Sequence, residues 1–443
     1  MKNKRQLGLA ALSFAAAATL GLSACSSGGA SQSKDQSGDA SATGGDEITL
    51  SFRTWLPTQV QWPELIEAFE AENPGIKIDF QRDEDYDAFR TNLDNEILAG
   101  ETPDLYGIQA GASFDDYAEY ALPVDEYGAD WIDQVRAEAR KETTTQDGVE
   151  AAVPILTAGM QFYLYNQDLF TELGLDLPTN YEELVNVSKA AAAAGYTPFA
   201  MGAADTWHDT DFFVWLSNQY GEGGDIYRAA SGEIPWDSES LVQAATDWQK
   251  LFTDGVFQQG ALTTTTYPSA RDDYFLAGKA LAFPTGSWHV GMSMVGPDQE
   301  QPGSAIEDAE VGMAVFPQIG PKDGGATSGV DFALAVSSDI DEAKLDAAAK
   351  FVEFMAVGTG QQLWVNTLQG FPVADGVSVQ VADDEPEIAQ QSLKVVEEAL
   401  AASKYPRKLN VPGWDSLQDD LGIVLQDIAG GANPATALAT LNK

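Results

Sequence analysis

Trp207, His208 and Asp209 stand side by side after Met201-Gly202-Ala203-Ala204, a glycine-containing turn. Together they offer one aromatic plate, one hydrogen-bond donor and one two-oxygen acceptor. Trp288 and His289 follow Pro284-Thr285-Gly286-Ser287, at the end of a strand through Leu281, Ala282 and Phe283. Asp331 lies just past Ser328-Gly329-Val330 inside an otherwise apolar strand, where a carboxylate needs donors from a ligand or from a backbone N–H. Phe371 and Trp414 occupy Pro/Gly-rich loops, and Trp55, Arg82 with Asp83, and Gln109 to Gly111 follow the ends of three strands. Aromatic faces beside short polar groups hold a solute by stacking and hydrogen bonding, without making or breaking a bond. Packing offers a competing explanation for several of these residues. Residues 207–209 also read as a helix N-terminus capped by Asp209 or Asp211 with Trp207 turned inward, and Trp55 as a core residue under the next helix.

Covalent and metal chemistry find little support. One Cys excludes an intramolecular disulfide and a Cys-rich metal site, and two His do not make a multi-His zinc centre. No HExxH, GxxxxGK[ST], GxSxG or CxxC pattern occurs. The run Asp83-Glu84-Asp85-Tyr86-Asp87 resembles the start of an EF-hand loop but has Ala88 at the turn position and Asp94 at the last, so it reads as a solvated helix start. No metal or cofactor is expected. The 68 acidic against 24 basic residues give a formal net charge of −44, a surface that repels phosphate backbones and anionic lipid. Nucleic acid is therefore not expected as a partner. At 443 residues with 44% hydrophobic content, the chain has room for two to three domains with sizeable cores.

The elements that must position these residues are legible at the start of the body. Ile48, Leu50 and Phe52 alternate as a half-buried strand. Pro63 suits the first turn of a helix with Leu65, Ile66 and Phe69 on one side, stopped by Asn73-Pro74-Gly75. Ile76, Ile78 and Phe80 alternate again. A second helix carries Tyr86, Phe89, Leu93 and Ile97 and ends at Gly100, before a strand through Leu105 and Ile108. Strands alternating with helices predict a parallel sheet, whose ligands sit beyond the carboxyl ends of the strands at Trp55, Arg82, Asp83 and Gln109 to Gly111. Farther on, Thr179-x-x-Glu182 predicts a capping box for a helix ending near Gly195.

Residues 1–45 read as an address and a tether. Lys2, Lys4 and Arg5 precede an apolar run from Leu7 to Leu22, short for a membrane-spanning helix. It ends at Leu22-Ser23-Ala24-Cys25, which resembles the lipobox of bacterial lipoproteins. That resemblance implies a signal peptide over 1–24, lipidation at Cys25 and a lipid-anchored position on the extracytoplasmic face of the cell membrane. Ser26 to Gly45 has no aromatic or large aliphatic residue and predicts a flexible tether over 25–45, spanning roughly 25 Å root-mean-square.

Phe69-Glu70-Ala71-Glu72-Asn73-Pro74-Gly75-Ile76-Lys77-Ile78, followed by Ile97-Leu98-Ala99-Gly100-Glu101-Thr102-Pro103-Asp104-Leu105, resembles the extracellular solute-binding proteins of family 1, the carbohydrate-importing ABC type. Val153-Pro154, the segment Tyr165-Asn166-Gln167-Asp168-Leu169-Phe170, then Phe275 to Ala280 leading to Gly286-Ser287-Trp288, and Gly370-Phe371-Pro372-Val373 follow in the family's order. Leu417, Leu421, Val424 and Ile428 form a closing helix. Gln167 departs from the family's usual Lys, at a position normally on a helix surface.

The resemblance implies an α/β, two-lobed periplasmic-binding-protein-like fold of type II, with hinge strands and an interlobe cleft. Lobe one maps to 46–156 plus 327–357 and lobe two to 157–326 plus 358–443. It further implies a non-enzymatic, monomeric receptor that closes over a carbohydrate and delivers it to ABC transporter permease subunits. An oligosaccharide is favoured, because several loop aromatics offer stacking plates. The ligand-binding set is Trp55, Arg82, Asp83, Gln109, Trp207, His208, Asp209, Trp288, Asp331, Phe371 and Trp414, with Trp288 in the family's Gly-Ser-Trp motif. Competing expectations are a polyol or other non-sugar solute, a sensing or adhesion lipoprotein, and a secreted glycoside hydrolase, which needs a spaced carboxylate pair. An anionic ligand would call on Arg82, Arg271 or Arg407.

Overall fold

A computed structural model describes residues 47–58, 61–84, 86–111, 114–294, 301–411, 413–414 and 416–442 of the chain. The expected signal peptide over 1–24, Cys25 and the expected tether over 25–45 lie outside the described residues. In β1 (Ile48–Thr54), Leu50, Phe52 and Thr54 turn inward while Thr49 faces water, the period-two pattern of a half-buried strand. Helix Trp62–Glu72 takes Pro63 in its first turn and buries Trp62, Leu65 and Phe69. β2 (Ile76–Arg82) returns parallel to β1, with Phe52 beside Phe80. Helix Tyr86–Ala99 buries Phe89 and Leu93, and β3 (Leu105–Ile108) docks parallel on the other edge of β1. The alternation read from the sequence thus becomes the sheet order β2-β1-β3.

Two long strands then carry the chain between cores. β4 (Val153–Asn166) and β8 (Thr327–Val336) run antiparallel from Val153 beside Leu334 to Met160 beside Thr327. β8 also pairs with β3, whereas the far half of β4 pairs with β6 (Ala280–Gly286) and β7 (Val311–Val315). β5 (Thr197–Phe199) lies parallel to β6; β9 (Phe371–Pro372) pairs with β4, and β10 (Tyr405–Pro406) with β8. One hydrophobic core gathers β1 to β3, the start of β4, the end of β8 and helix Glu342–Ala356, and runs on to Trp364, Val365 and Val373. The others are built on the second half of β4, on β5 to β7 and on the helices around them, with Leu417, Leu421, Val424 and Ile428 buried on one side of helix Leu417–Ala429.

One local expectation is corrected. Asn180, not Thr179, caps helix Tyr181–Ala194 by accepting from the Glu183 N–H. Glu183, not Glu182, reaches back to the Thr179 N–H and hydroxyl. The box is shifted by one residue because Asn is as good a cap as Thr and stands one place nearer the helix. The helix ends at Gly195 as predicted.

Candidate ligand-binding site

Three half-buried rings, Trp207, Tyr267 and Trp288, form a wall. Trp207 is the second residue of helix Thr206–Ser217, Tyr267 is an extended residue at the start of the segment Thr266–Leu276 that goes on as a wide helix, and Trp288 is the second residue of the tight turn Ser287–Ser293 that follows β6. Trp207 lies 6.1 Å from Tyr267 with planes 18° apart, and 6.3 Å from Trp288 at 55°. The Trp288 indole N–H donates to the Tyr267 hydroxyl at 2.9 Å, so each ring fixes the other. Gly286 is what admits the Trp288 ring: a Cβ built there would come within 1.8 Å of it.

Behind the rings the polar groups are buried, and among the described residues His208 Nε2 and both Asp209 oxygens lack a hydrogen-bond partner. His208 is fully buried, with Nδ1 3.0 Å from the Thr266 hydroxyl, and burial together with Arg407 lowers its pKa to about 4. His289 pairs with the Thr285 hydroxyl at 2.7 Å, and burial, then Arg271, keeps it neutral. Asp209 is buried as well, and burial pushes its carboxyl well above the carboxylate range, with only Gln426 opposing. The sequence alternative of a helix start therefore describes this segment, except that neither aspartate caps it. Asp205 occupies the cap position, and its Oδ2 accepts from the Thr266 N–H. Of the three residues Trp207 to Asp209, only Trp207 is partly open to solvent.

Beside the wall lies a charge cluster at the crossing strands. The pairing of β4 with β8 skips Ile155 and Asp331, and a residue left out of the ladder is re-aimed out of it. The Asp331 carboxylate accepts from Arg407 Nη1 and, at 3.3 Å, from the Gln109 amide. Arg407 Nε donates to Asp211 at 2.8 Å, and its guanidinium lies 4.4 Å over the Trp288 ring. Lys408 reaches the same Asp211 at 3.1 Å. Burial works against the Arg407 charge, but Asp211 and Asp331 outweigh it and raise its pKa. Burial lowers Lys408, whereas Asp211, against burial, is held low by Arg407 and Lys408. Arg407 therefore offers no unpaired charge to an anion, and Arg271 is taken by Asp272 while lying 5.0 Å over Tyr267.

The remaining expected residues sit elsewhere. Trp55 is a core residue, boxed by Tyr86, Phe89 and Phe332 at 4.8–5.1 Å, so its packing alternative describes it. Asp83 accepts from Arg53 and from Asn92, and an Arg82 N–H reaches the Glu84 carbonyl, three contacts among residues on or next to β1, β2 and the helix after it. Phe371 is buried on β9, and Trp414 packs edge-on against Trp236 with its N–H on Asp420. The structure brings Trp207, Trp288, Asp331 and Gln109 together and adds Tyr267, Arg407 and Asp211. Two signals were available for the additions: Tyr267 precedes Pro268 in a Thr-rich loop, and Arg407-Lys408 is a cationic pair in a very acidic chain. Among the described residues, no group of three or more His, Cys, Asp or Glu is placed to hold a metal, and no helix is long and apolar enough to cross a membrane.

A sequence profile of the bacterial extracellular solute-binding proteins matches residues 56–362. The chain is 26% identical over 382 residues to the multiple sugar-binding protein of Streptococcus mutans serotype c, covering 84% of this chain and 83% of that one. A structure from work on xylan utilization by Caldanaerobius polysaccharolyticus aligns over 89% of this chain and 99% of its own, at TM-score 0.73 and 21% identity. RafE of Streptococcus pneumoniae in complex with raffinose aligns over 89% and 98%, at TM-score 0.67 and 19% identity. These structural likenesses carry the fold: two α/β lobes of the periplasmic-binding-protein-like type, joined by crossing strands.

Proposed function

The chain belongs to the bacterial extracellular solute-binding protein family, and from that premise we propose that it captures a carbohydrate between its lobes for delivery to an ABC importer. The observation that carries this reading is the wall of Trp207, Tyr267 and Trp288 beside the paired charges of Arg407, Asp211 and Asp331. Sugar rings present apolar C–H faces edged by hydroxyls, so they match aromatic plates flanked by fixed donors and acceptors. Because the cations near the wall are already paired, a neutral hydroxylated ligand is favoured over a phosphate ester. Several rings in a row favour an oligosaccharide over a single sugar. The multiple sugar-binding protein among the relatives supports the same class.

In this reading β4 and β8 are the hinge, and a ligand shifts the protein toward the closed form by binding it more tightly than the open one. The closed form is what permease subunits would recognise. The protein acts as a receptor without catalysis, as a monomer, held to the extracytoplasmic face of the membrane by lipid on Cys25. Titration of tryptophan fluorescence and melting temperature against oligosaccharides, polyols, sugar phosphates and metal salts tests the solute class. Saturable quenching with a raised Tm for neutral sugars alone is the expected result, since a ligand that binds the native state stabilises it. Flat signals with sugars, and a response to sugar phosphates or metals, would overturn it. Labelling with a radioactive fatty acid, compared with Cys25→Ala, tests the anchor.

A further inference from the structure

Glu142 ends the short helix Ala137–Glu142 that packs against the crossing strands. Its Oε2 accepts from the Val330 N–H at 3.0 Å, next to the Asp331 that holds Arg407. Room for that carboxylate exists because residue 329 is a glycine; a Cβ there would approach Oε2 to 2.6 Å. The residue is only partly buried, and among the described residues no donor reaches its Oε1. A carboxyl pinned by one oxygen at the hinge, with the other unengaged, is an acceptor waiting for a donor.

Resting on the carbohydrate reading above, we propose that Glu142 is a ligand-contacting residue whose free oxygen accepts a hydroxyl hydrogen of the bound sugar. Burial raises the Glu142 pKa to about 7, against the Val330 N–H and the charge of Arg407. The groups that face it are few. Arg407 comes from the segment after β10 and Asp331 from β8, while β4 offers no titratable side chain from Val153 to Met160. On its own helix, Arg140 is committed to Glu150 and Asp133, and Lys141 to Glu138. A sugar hydroxyl donates to the ionised carboxylate, so binding favours the deprotonated form and affinity rises with pH.

The test is calorimetric titration of the full chain with raffinose and xylotriose, at pH 6, 7 and 8 and in two buffers of different ionisation enthalpy, for the wild-type protein and Glu142→Gln. Glutamine keeps an oxygen for the Val330 N–H, and an unchanged Tm would verify that the fold is intact. Wild-type affinity is expected to rise roughly fivefold from pH 6 to 8, with net proton release at pH 7. E142Q should show neither, and should bind roughly five- to tenfold more weakly than wild type at pH 8. Parallel pH profiles and equal proton release in the two proteins would overturn the assignment. If the wild-type protein binds neither sugar nor any other neutral carbohydrate, the carbohydrate reading itself fails and takes this contact with it, a result distinct from E142Q behaving as wild type.

Discussion

Trp55 and Trp288 both follow the end of a β-strand, and the fold uses them in opposite ways. Trp55 is roofed by Tyr86 and Phe89 from the next helix and backed by Phe332, so its ring is sealed into the first core. Trp288 is pinned from below by Gly286 and from one side by the Tyr267 hydroxyl, with the Arg407 guanidinium over its face. It stays half-buried. What the neighbouring segments bring decides the outcome. Aromatic neighbours close over an indole and make it core, whereas a charged neighbour that is itself neutralised leaves part of the ring open to solvent.

Paired truncations break this comparison most directly. Trp55→Ala is expected to cost about 3–5 kcal/mol of stability, the usual result of emptying a large core site. The same change at Trp288 should cost less stability, because its ring is partly solvated, but should weaken sugar binding more than tenfold, on the order of 1.4 kcal/mol or more. Urea denaturation and sugar titration of both variants check the pair. Equal stability losses, or equal binding losses, would remove the distinction between core and wall.

Arg407→Ala should come close to Trp55→Ala in its effect on stability while also reaching the ligand. It leaves Asp211, buried completely, with Lys408 alone, and Asp331 with only the Gln109 amide. Removing one partner of a buried ion pair costs about 3–5 kcal/mol, since the abandoned charge stays desolvated. A double-mutant cycle with Asp211→Asn measures the coupling; an additive cycle would mean the ion pair contributes nothing beyond packing.

How much of this was legible in the sequence follows from how local each feature is. Period-two alternation in Ile48, Leu50 and Phe52 and helical spacing in Phe89 and Leu93 are local, and both elements form as read. The Gly286-Ser287-Trp288 motif carries its own reason, since the ring lies over the glycine. Asp331 was conspicuous as a carboxylate in an apolar strand, but its partner Arg407 lies 76 residues away, and no spacing rule connects them. Glu142 was invisible for the same reason: its role depends on where Val330 passes. His208 and Asp209 misled because a polar pair beside Trp looks like a binding loop, whereas the helix that contains them turns both inward.

Asp209 yields the smallest effect and the clearest sign. Its carboxyl is buried and its pKa is raised, so the folded protein holds a proton that the unfolded chain releases at about pH 4. Below that pH both states are protonated and the site is neutral in its effect. As pH rises from about 4 toward the folded-state pKa, the unfolded chain gains its charge while the native site does not, and stability falls. Asp209→Asn removes the titration while keeping the shape, so the variant should melt close to wild type at pH 4 and progressively higher than wild type toward pH 8. His208 runs the other way: with a pKa lowered to about 4, it opposes folding as pH falls from about 6.5, so acid lability in that window should survive in D209N. A D209N advantage that is constant across pH would point to packing or to the Gln426 contact instead of the buried proton, and would place this aspartate with Trp55 as an ordinary core residue.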